Sequence, residues 1–351
     1  MPSGNNIMPR DYDSQQTVRQ AAIIHPGAIG DCVLVLPLAS FLKNTLGYSQ
    51  VHLIGRTDYI SFYPRRTCID RVRSMEQIQF HRLFESVDEF TVEQKDRLIT
   101  AFADYEHVIS FLGDGHDHFE QNLLFTIHCS HAGEVTMLPM APTSPEHAAS
   151  FYIRRFVESN ALEHPIPQHQ TEILIRPLPE DLQEGNDLLQ EFGVPDCRVC
   201  LIHPGSGGRH KCWYLDNFLA VARDLRTKQI QPAFLLGPAE QERFSEDDLH
   251  TLRHTGPVIS NIRLEQVLKI LFCVDFFLGN DSGIAHLAGA MGKKTIAVFG
   301  PTDPAIYSPI GPESTAIVCP SESFQAASTQ AQQLVVDAID RLLTPKPSQN
   351  H

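Results

Sequence analysis

One continuous stretch, residues 275–304, carries strand, turn, helix and strand signals with no linker between them. The apolar run Phe276 to Leu278 leads into a turn of small and polar residues, Gly279 to Gly283. A helix is predicted from Ala285 to Met291, and a second buried strand from Thr295 to Phe299. This order predicts a βαβ unit, a structure in which ligands bind at the carboxyl ends of the parallel strands.

The turn of this unit has the composition of an anion-binding site. Gly283 lets a ligand approach the backbone, while the N–H groups and the dipole at the helix start favour a phosphate or another anion. His286 lies four residues after Ser282, so the two side chains share one face near the start of the helix. Asp281 and Ser282 are also common helix N-caps, so a purely structural turn is the alternative.

Two similar strand-to-loop passages occur, at residues 22–27 (Ala-Ile-Ile-His-Pro-Gly) and 200–205 (Cys-Leu-Ile-His-Pro-Gly). An apolar helix is predicted after each loop, from Cys32 to Leu46 in the first half and from Leu215 to Leu225 in the second. The repetition of the same strand and glycine context predicts two α/β domains that face each other across a cleft.

Composition is compatible with this organisation. At 351 residues the chain is long enough for two cores, and its net charge of −14 argues against bulk nucleic-acid binding. No apolar run approaches the length of about 18 residues typical of a membrane span, and residues 1–18 lack the apolar core of a signal peptide. We therefore expect a cytoplasmic protein with disordered tails at residues 1–18 and 344–351. Peripheral contact with the inner face of the cytoplasmic membrane stays open.

Cysteine and histidine patterns give weak support for a metal. The eight cysteines are scattered, which is typical of free thiols in a reducing compartment, and Cys197 and Cys200 form a lone CxxC. His116 and His118 follow a predicted strand end in the first half. Three alternatives remain for these histidines: a metal site, a substrate contact in the cleft and a solvated loop.

The glycine loops point to a transfer reaction. No G-x-x-x-x-G-K-[ST] loop and no G-x-G-x-x-G after the first strand occurs, so ATP hydrolysis and nicotinamide chemistry lack their usual sequence support. Asp31 on the first loop can accept the proton of an acceptor hydroxyl, while Lys211 across the cleft neutralises a departing phosphate. An N-cap for the following helix is the alternative role of Asp31.

Five motifs, in order over about residues 20–312, resemble glycosyltransferase family 9, which contains the ADP-heptose:lipopolysaccharide heptosyltransferases. They are Gly27-Ala28-Ile29-Gly30-Asp31, Lys211-x-Trp213, Leu236-Gly237-Pro238-Ala239-Glu240, Asn280-Asp281-Ser282-Gly283-x-x-His286 and Phe299-Gly300-Pro301-Thr302-Asp303-Pro304. The resemblance implies an α/β chain of the GT-B fold, with two Rossmann-like domains whose parallel sheets face a central cleft. It also implies inverting transfer, with no cofactor and no required metal, from a nucleotide-sugar donor such as ADP-heptose. The implied acceptor is a hydroxyl of an anionic, lipopolysaccharide-type glycan or glycolipid.

Carried over position by position, the resemblance assigns roles to individual residues. Asp31 matches the proposed catalytic base, Lys211 a lysine that contacts the donor phosphates, and Glu240 a glutamate that holds the nucleoside. The donor phosphate and sugar would contact Asp281, Ser282, Gly283 and His286, and the glycines of the binding loops are Gly27, Gly30, Gly205 and Gly207. Relatives often carry a basic residue just before the first glycine loop, where His25 and Pro26 stand in this chain, so the resemblance assigns no phosphate contact to that position.

Two further assignments stay open. Trp213, the only tryptophan, either contacts ligand or packs its loop. Acceptor recognition in the heptosyltransferases uses basic residues of the N-terminal domain, and the local candidates are Arg56, Arg65, Arg66, Arg71, Arg73 and Arg82. Such a set could bind an anionic lipid-linked sugar at a membrane surface, and a solvated arginine-rich face is the alternative.

For the domains, the expectation is an N-terminal acceptor domain at residues 19–168 and a C-terminal nucleotide-sugar domain at residues 169–324. The linker is predicted near Pro165 to Pro179. An amphipathic helix at residues 325–343 is expected to cross back to the first domain, as is common in GT-B enzymes. The alternatives are a GT-B transferase or epimerase that uses another nucleotide sugar with a non-lipid acceptor, and a nucleotide-sugar-binding protein that has lost catalysis.

Overall fold

The protein, as a computed structural model, is described over residues 18–131, 133–167 and 172–344. The predicted tails therefore lie almost entirely outside the described residues. So does the predicted domain boundary at residues 168 and 169. Two parallel sheets organise the described residues, the first within residues 20–137 and the second within residues 199–318.

The first domain is built on a five-stranded sheet with the order β3-β2-β1-β4-β5. Its strands are β1 (Gln20–Ile24), β2 (Gln50–Gly55), β3 (Arg71–Ser74), β4 (His107–Ser110) and β5 (Glu134–Met137). Its helices are α1 (Ile29–Leu34), α2 (Leu36–Asn44), α3 (Thr57–Ile60), α4 (Arg97–Phe102), α5 (Asp117–His128) and α6 (Ala148–Ser159).

The second domain is built on a six-stranded sheet with the order β11-β10-β9-β6-β7-β8. Its strands are β6 (Val199–His203), β7 (Gln231–Leu236), β8 (Val258–Ser260), β9 (Phe276–Asn280), β10 (Lys294–Phe299) and β11 (Ser314–Val318). Its helices are α7 (Pro179–Glu191), α8 (Leu215–Thr227), α9 (Pro238–Arg243), α10 (Glu246–Thr255), α11 (Leu264–Cys273), α12 (Gly283–Ala290), α13 (Pro304–Tyr307), α14 (Ser321–Phe324) and α15 (Thr329–Leu343).

The two similar passages in the sequence occupy equivalent places in the two sheets. β1 pairs with both β2 and β4, and β6 pairs with both β7 and β9, in each case parallel. Both are therefore the central strands at which the chain order of a doubly wound sheet reverses, and ligands bind beside such strands. The predicted fold class, two Rossmann-like domains with parallel sheets that face a cleft, is confirmed.

Two local predictions need correction. The single helix predicted from Cys32 to Leu46 is two helices, α1 and α2, which meet at Val35. The break follows from Pro37, which lies in the first turn of α2 and has no N–H to donate to a continuous helix.

The terminal helix is found, but not where it was expected. α15 packs against α8, β10 and β11 of the second domain instead of crossing back to the first. Its buried face consists of Ala331, Val335, Ala338 and Ile339, which belong to the apolar cluster around Phe218 and Phe234. An amphipathic pattern shows that a helix has a face to bury, and the exposed flank of the second sheet provides the nearest apolar surface.

The two domains are held together by polar and apolar contacts. Arg66 of the first domain forms a buried, bidentate ion pair with Asp181 of α7, at 2.7 and 2.6 Å. His147, which caps α6, donates from Nε2 to the carbonyl of Ser308 at 2.9 Å. One cluster of buried apolar side chains contains residues of both domains, and Val33 is one of its members from the first domain. Over the described residues, no helix has both the length and the apolarity needed to cross a membrane.

Candidate functional site

Two adjoining cavities lie in the cleft between the domains, at the carboxyl ends of the central strands. The apolar cavity, of about 380 Å³, has walls that include Leu235, Leu236, Pro238, Ile262, Leu264 and Val267. The polar cavity, of about 500 Å³, is lined by Asp31, Lys211, Asp281, His286 and Tyr307, among others. Ala28, Gly30, Ser206, Gly207, Ser282 and Gly283 line both cavities, so the two form one continuous cleft.

Asp31 lies in the first turn of α1 and faces the polar cavity. Its Oδ2 accepts a hydrogen bond from the backbone N–H of Ala28 at 2.9 Å, so Asp31 is the third residue of the helix rather than its N-cap. This bond fixes the carboxylate, while Oδ1 accepts no hydrogen bond from the described residues. A carboxylate oriented in this way has one oxygen available to a proton donor in the cleft.

Asp281 is the most heavily bonded acid in the cleft. Its Oδ2 accepts from Lys211 Nζ at 3.0 Å and from Thr302 Oγ1 at 2.8 Å, and His286 Nε2 lies 3.7 Å from Oδ1. Burial alone would raise the pKa of Asp281, but these three neighbours, His286 above all, lower it to about 2. The residue is therefore ionised at neutral pH, and it holds Lys211 at the cavity wall.

The turn after β9 is both a helix cap and part of the cleft. Ser282 caps α12, since its Oγ accepts from the N–H of Ala285 at 3.3 Å, as the N-cap alternative predicted. Buried Asn280 accepts from the N–H of Trp213 at 2.8 Å and donates to the carbonyl of Gly205 at 3.1 Å. Asn280 thus ties the loop after β6 to the turn that carries Asp281.

Glu240 is a buried acid at the edge of the apolar cavity. It accepts from the N–H of Gly237 at 2.9 Å, and His203 Nε2 lies 3.6 Å from its Oε2. Burial alone would raise the pKa of Glu240, but His203, Gly237 and Arg243 lower it. A Cβ at Gly205 would overlap the Glu240 carboxylate, so an alanine there would displace that carboxylate.

Glycines also set the distance between the domains at the cleft. A Cβ at Gly30 would lie 2.9 Å from the His286 ring, and a Cβ at Gly283 would lie 2.6 Å from Cβ of Ile29. The starts of α1 and α12 therefore meet almost backbone to backbone, which brings Asp31 to the second domain. Gly27 packs on the Asp31 side chain, whereas Gly207 has open space above it.

Two residues that the sequence left open have structural roles. The Trp213 ring is buried in the core of the second domain and packs edge-on against Phe218, with ring centres 5.0 Å apart. His25 is buried beside Phe111, and burial lowers its pKa to about 3, so it is neutral. It accepts the N–H of Gly27 at 3.2 Å and therefore shapes the first loop.

The six candidate arginines do not form a continuous surface. Arg66 is buried in its ion pair with Asp181, Arg82 pairs with Asp96 at 2.9 Å, and Arg73 donates to the carbonyl of Ala101. Arg56, Arg65 and Arg71 remain exposed.

The histidine and cysteine patterns lie away from the cleft. His116 is the N-cap residue of α5 and packs edge-on against Phe84, and neither it nor His118 lines the two cleft cavities. All eight cysteines lie in the described part of the chain, and none forms a disulfide. In that same part, no group of three or more His, Cys, Asp or Glu side chains is arranged to hold a metal ion.

The structure thus brings together the predicted residues Asp31, Lys211, Asp281, Ser282, Gly283, His286 and Glu240 in one cleft. It adds three residues for which the sequence predicted no role: His203, Thr302 and Tyr307. Thr302 lies inside the Phe-Gly-Pro-Thr-Asp-Pro motif, so the motif could have identified it as a site residue. His203 belongs to the repeated His-Pro-Gly passage, while nothing in the sequence around Tyr307 distinguishes it.

Comparison with known proteins gives a consistent result. The sequence profile of glycosyltransferase family 9 (heptosyltransferase) matches residues 148–335. The chain is 27% identical over 187 residues to lipooligosaccharide heptosyltransferase 2 of Campylobacter jejuni, a match that covers 48% of this chain and 58% of the relative. It is 27% identical over 124 residues to lipopolysaccharide heptosyltransferase 3 of Escherichia coli K12, which covers 34% of this chain and 36% of that one. The chain therefore spans about half the length of the curated relatives it matches.

Solved structures resemble the chain over nearly its whole length. A family 9 glycosyltransferase from Veillonella parvula superposes with a TM-score of 0.68 at 17% identity, covering 93% of this chain and 97% of that one. The E. coli heptosyltransferase WaaC with ADP superposes with a TM-score of 0.62 at 17% identity, covering 92% and 99%. At this identity the likeness shows the fold, which is GT-B as predicted.

Proposed function

Because the chain belongs to glycosyltransferase family 9, we propose that it transfers heptose from ADP-heptose to a hydroxyl of a lipopolysaccharide-type glycan, with inversion at the anomeric carbon and without a required metal. One observation carries the proposal. An apolar cavity with a buried, ionised glutamate continues into a polar cavity that contains a lysine, a helix start and an oriented aspartate. These are the surroundings that a nucleoside, a diphosphate and a reacting sugar require, in that order along the cleft.

The apolar cavity is proposed to hold the nucleoside. Its leucine, isoleucine and valine walls suit the faces of a nucleobase, and the Glu240 carboxylate can accept hydrogen bonds from ribose hydroxyls. Adenine as the base is supported by relatives, since E. coli WaaC has been solved with ADP and with ADP-2-deoxy-2-fluoro heptose.

The diphosphate is proposed to lie at the start of α12. The free backbone N–H groups at the start of the helix, beside Ser282 and Gly283, and the helix dipole favour an anion there. Lys211 is held at the same place by Asp281, and it can stabilise the charge that develops on the leaving diphosphate. We assign Asp281 to the sugar hydroxyls, on the side of its carboxylate that lies near His286.

Asp31 is proposed as the general base. The acceptor oxygen attacks the anomeric carbon, its proton passes to Asp31 Oδ1, and the bond from that carbon to the diphosphate breaks with its electron pair leaving on the nucleotide. The hydrogen bond from Ala28 to Oδ2 keeps the carboxylate oriented for this transfer. A single displacement of this kind inverts the anomeric configuration, which NMR of the product would report.

The acceptor is proposed to be anionic, as a phosphorylated glycan or glycolipid is. The exposed arginines of the first domain, Arg56 in particular, are the candidates for its contacts. Arg56 packs against Tyr59, which lines the apolar cavity, so it lies near the mouth of the cleft. If the acceptor is membrane-embedded, this chain would act from the inner face of the cytoplasmic membrane.

Thermal stabilisation by a nucleotide panel tests the donor part of the proposal. ADP and ADP-heptose should raise the melting temperature with or without Mg²⁺, whereas GDP and UDP should not; at a ligand concentration of 100 Kd the gain is about 2.7 kcal/mol. Glu240→Gln should weaken the response to ADP, while the exposed control Glu191→Gln should not. A response to UDP or GDP alone would replace the donor, and no response to any nucleotide would contradict the proposal.

A further inference from the structure

Tyr307 occupies the polar cavity beside the reacting groups, at the end of α13. The other hydroxyls at this wall are already engaged. Ser206 Oγ donates to the carbonyl of Asp281 at 2.6 Å, Thr302 Oγ1 donates to the Asp281 carboxylate, and Ser282 Oγ caps α12. The Tyr307 hydroxyl makes no hydrogen bond to any residue in the described part of the chain. It is therefore a donor available to a ligand.

Tyr307 lines the same cavity as an acid of each domain, Asp31 and Asp281. Burial raises the pKa of Tyr307, the charges of Asp31 and Asp281 raise it further, and Lys211 opposes them. The phenol therefore stays protonated at neutral pH. A neutral donor in a cavity lined by two carboxylates matches a sugar, which is uncharged and rich in hydroxyl acceptors, better than it matches a phosphate.

A contact across the domain interface holds this residue in place. Asp303 caps α13 by accepting the N–H of Ala305 at 2.9 Å, and the N–H of Tyr307 is bonded to the Asp303 carbonyl at 3.0 Å. The next residue, Ser308, accepts Nε2–H of His147 at 2.9 Å. The position of the phenol therefore depends on a first-domain side chain, and it is set when the domains are together.

We propose that the Tyr307 hydroxyl hydrogen-bonds with the sugar of the bound donor, and that His147 is a positioning residue that holds Tyr307 there through Ser308. This inference rests on the proposed function, since it presumes a nucleotide-sugar donor. The phenol contributes to selection among sugars attached to the same nucleotide. It does not contribute to recognition of the nucleotide, because Glu240 and the apolar walls lie in the other cavity.

The test compares the affinities of ADP and ADP-heptose, measured by titration calorimetry on the full chain. For Tyr307→Phe, which keeps the ring, the Kd of ADP-heptose should rise about 3- to 10-fold, the effect of one lost uncharged hydrogen bond, while the Kd of ADP stays within about twofold. Tyr214→Phe, an exposed residue outside the cleft, is the matched control and should change neither. An unchanged Kd of ADP-heptose in Tyr307→Phe, or an equal change for both ligands, would overturn the inference.

His147 is tested through rescue. His147→Ala should weaken ADP-heptose binding in the same direction as Tyr307→Phe, and His147→Gln, which keeps a donor for the Ser308 carbonyl, should restore most of it. Equal losses in both variants, or no loss in either, would contradict the positioning role. Wild-type binding of ADP is the separate arm: if it is absent, the proposed function itself fails, whereas normal ADP binding with an unresponsive Tyr307→Phe removes only this inference.

Discussion

The ion pair between Arg66 and Asp181 should be a large single contributor to the attachment of the two domains. Both side chains are buried, at 8% and 0% exposed, and two charge-assisted hydrogen bonds of 2.7 and 2.6 Å join them. Asp181→Asn would leave the Arg66 guanidinium buried without its counter-charge, a change that costs about 3–5 kcal/mol. Glu265, 3.4 Å from Arg66 and 39% exposed, offers partial compensation, so we expect about 3 kcal/mol.

Urea unfolding measures this loss, with the fluorescence of Trp213 reporting the second domain and circular dichroism the whole chain. The neighbouring pair Arg65–Glu180 provides the matched control, because it joins the same two elements at 3.6 Å but is 69% and 48% exposed. Glu180→Gln should cost less than about 1 kcal/mol. The reasoning would be refuted if Asp181→Asn and Glu180→Gln had the same effect.

The same pair predicts a pH dependence. Burial alone would raise the pKa of Asp181, but Arg66 and the N–H of Leu178 lower it overall. A carboxyl whose pKa is lower in the folded state contributes stability above its unfolded pKa of about 3.9, and this stability is lost as the pH falls through the folded value. The difference in unfolding free energy between wild type and Asp181→Asn should therefore be constant near neutral pH and shrink below about pH 4.

Three further substitutions probe the cleft. Gly283→Ala would place a Cβ 2.6 Å from Cβ of Ile29, short of the 3.5–4.0 Å of normal contact, so the domains would separate by about 1 Å. Transfer should slow about 100-fold, which steady-state kinetics would show. Lys211→Met should weaken ADP binding about 10-fold, compared with the exposed control Lys95→Met in the same titration. Asn280→Ala breaks two buried hydrogen bonds and should lower the unfolding free energy by about 1–3 kcal/mol in urea titrations.

The fold was predictable from the sequence because its signals are local. The βαβ unit at residues 275–304 consists of continuous apolar runs separated by a glycine-containing turn, and the repeated His-Pro-Gly passages lie at the ends of the equivalent central strands of the two sheets. The docking of α15 was not predictable, since an amphipathic face does not specify which apolar surface it covers. The break at Val35 follows from Pro37. Because the residues around this proline form a continuous apolar run, one helix was predicted from the sequence instead of two.

The candidate site was predictable where motifs carry it and not where the two domains meet. Asp31, Lys211, Glu240 and Asp281 follow strand ends, and the structure places all of them in the cleft. Tyr307 lies next to Ser308, whose carbonyl is bonded to His147 of the other domain, and such tertiary contacts leave no local pattern. Composition made Arg66 a candidate acceptor contact, but its tertiary contact with Asp181 makes it a structural residue.

The central claim is that Asp31 is the base of a glycosyl transfer reaction, and the rate of heptose transfer from ADP-heptose to a lipopolysaccharide-type acceptor by Asp31→Asn tests it most directly. The variant keeps the shape of the side chain and removes the proton acceptor, so the rate should fall by about 10²- to 10⁴-fold while the affinity for ADP is retained. Asp104→Asn, an exposed aspartate in the turn before β4, should transfer at the wild-type rate. Turnover by Asp31→Asn at the wild-type rate would contradict the account.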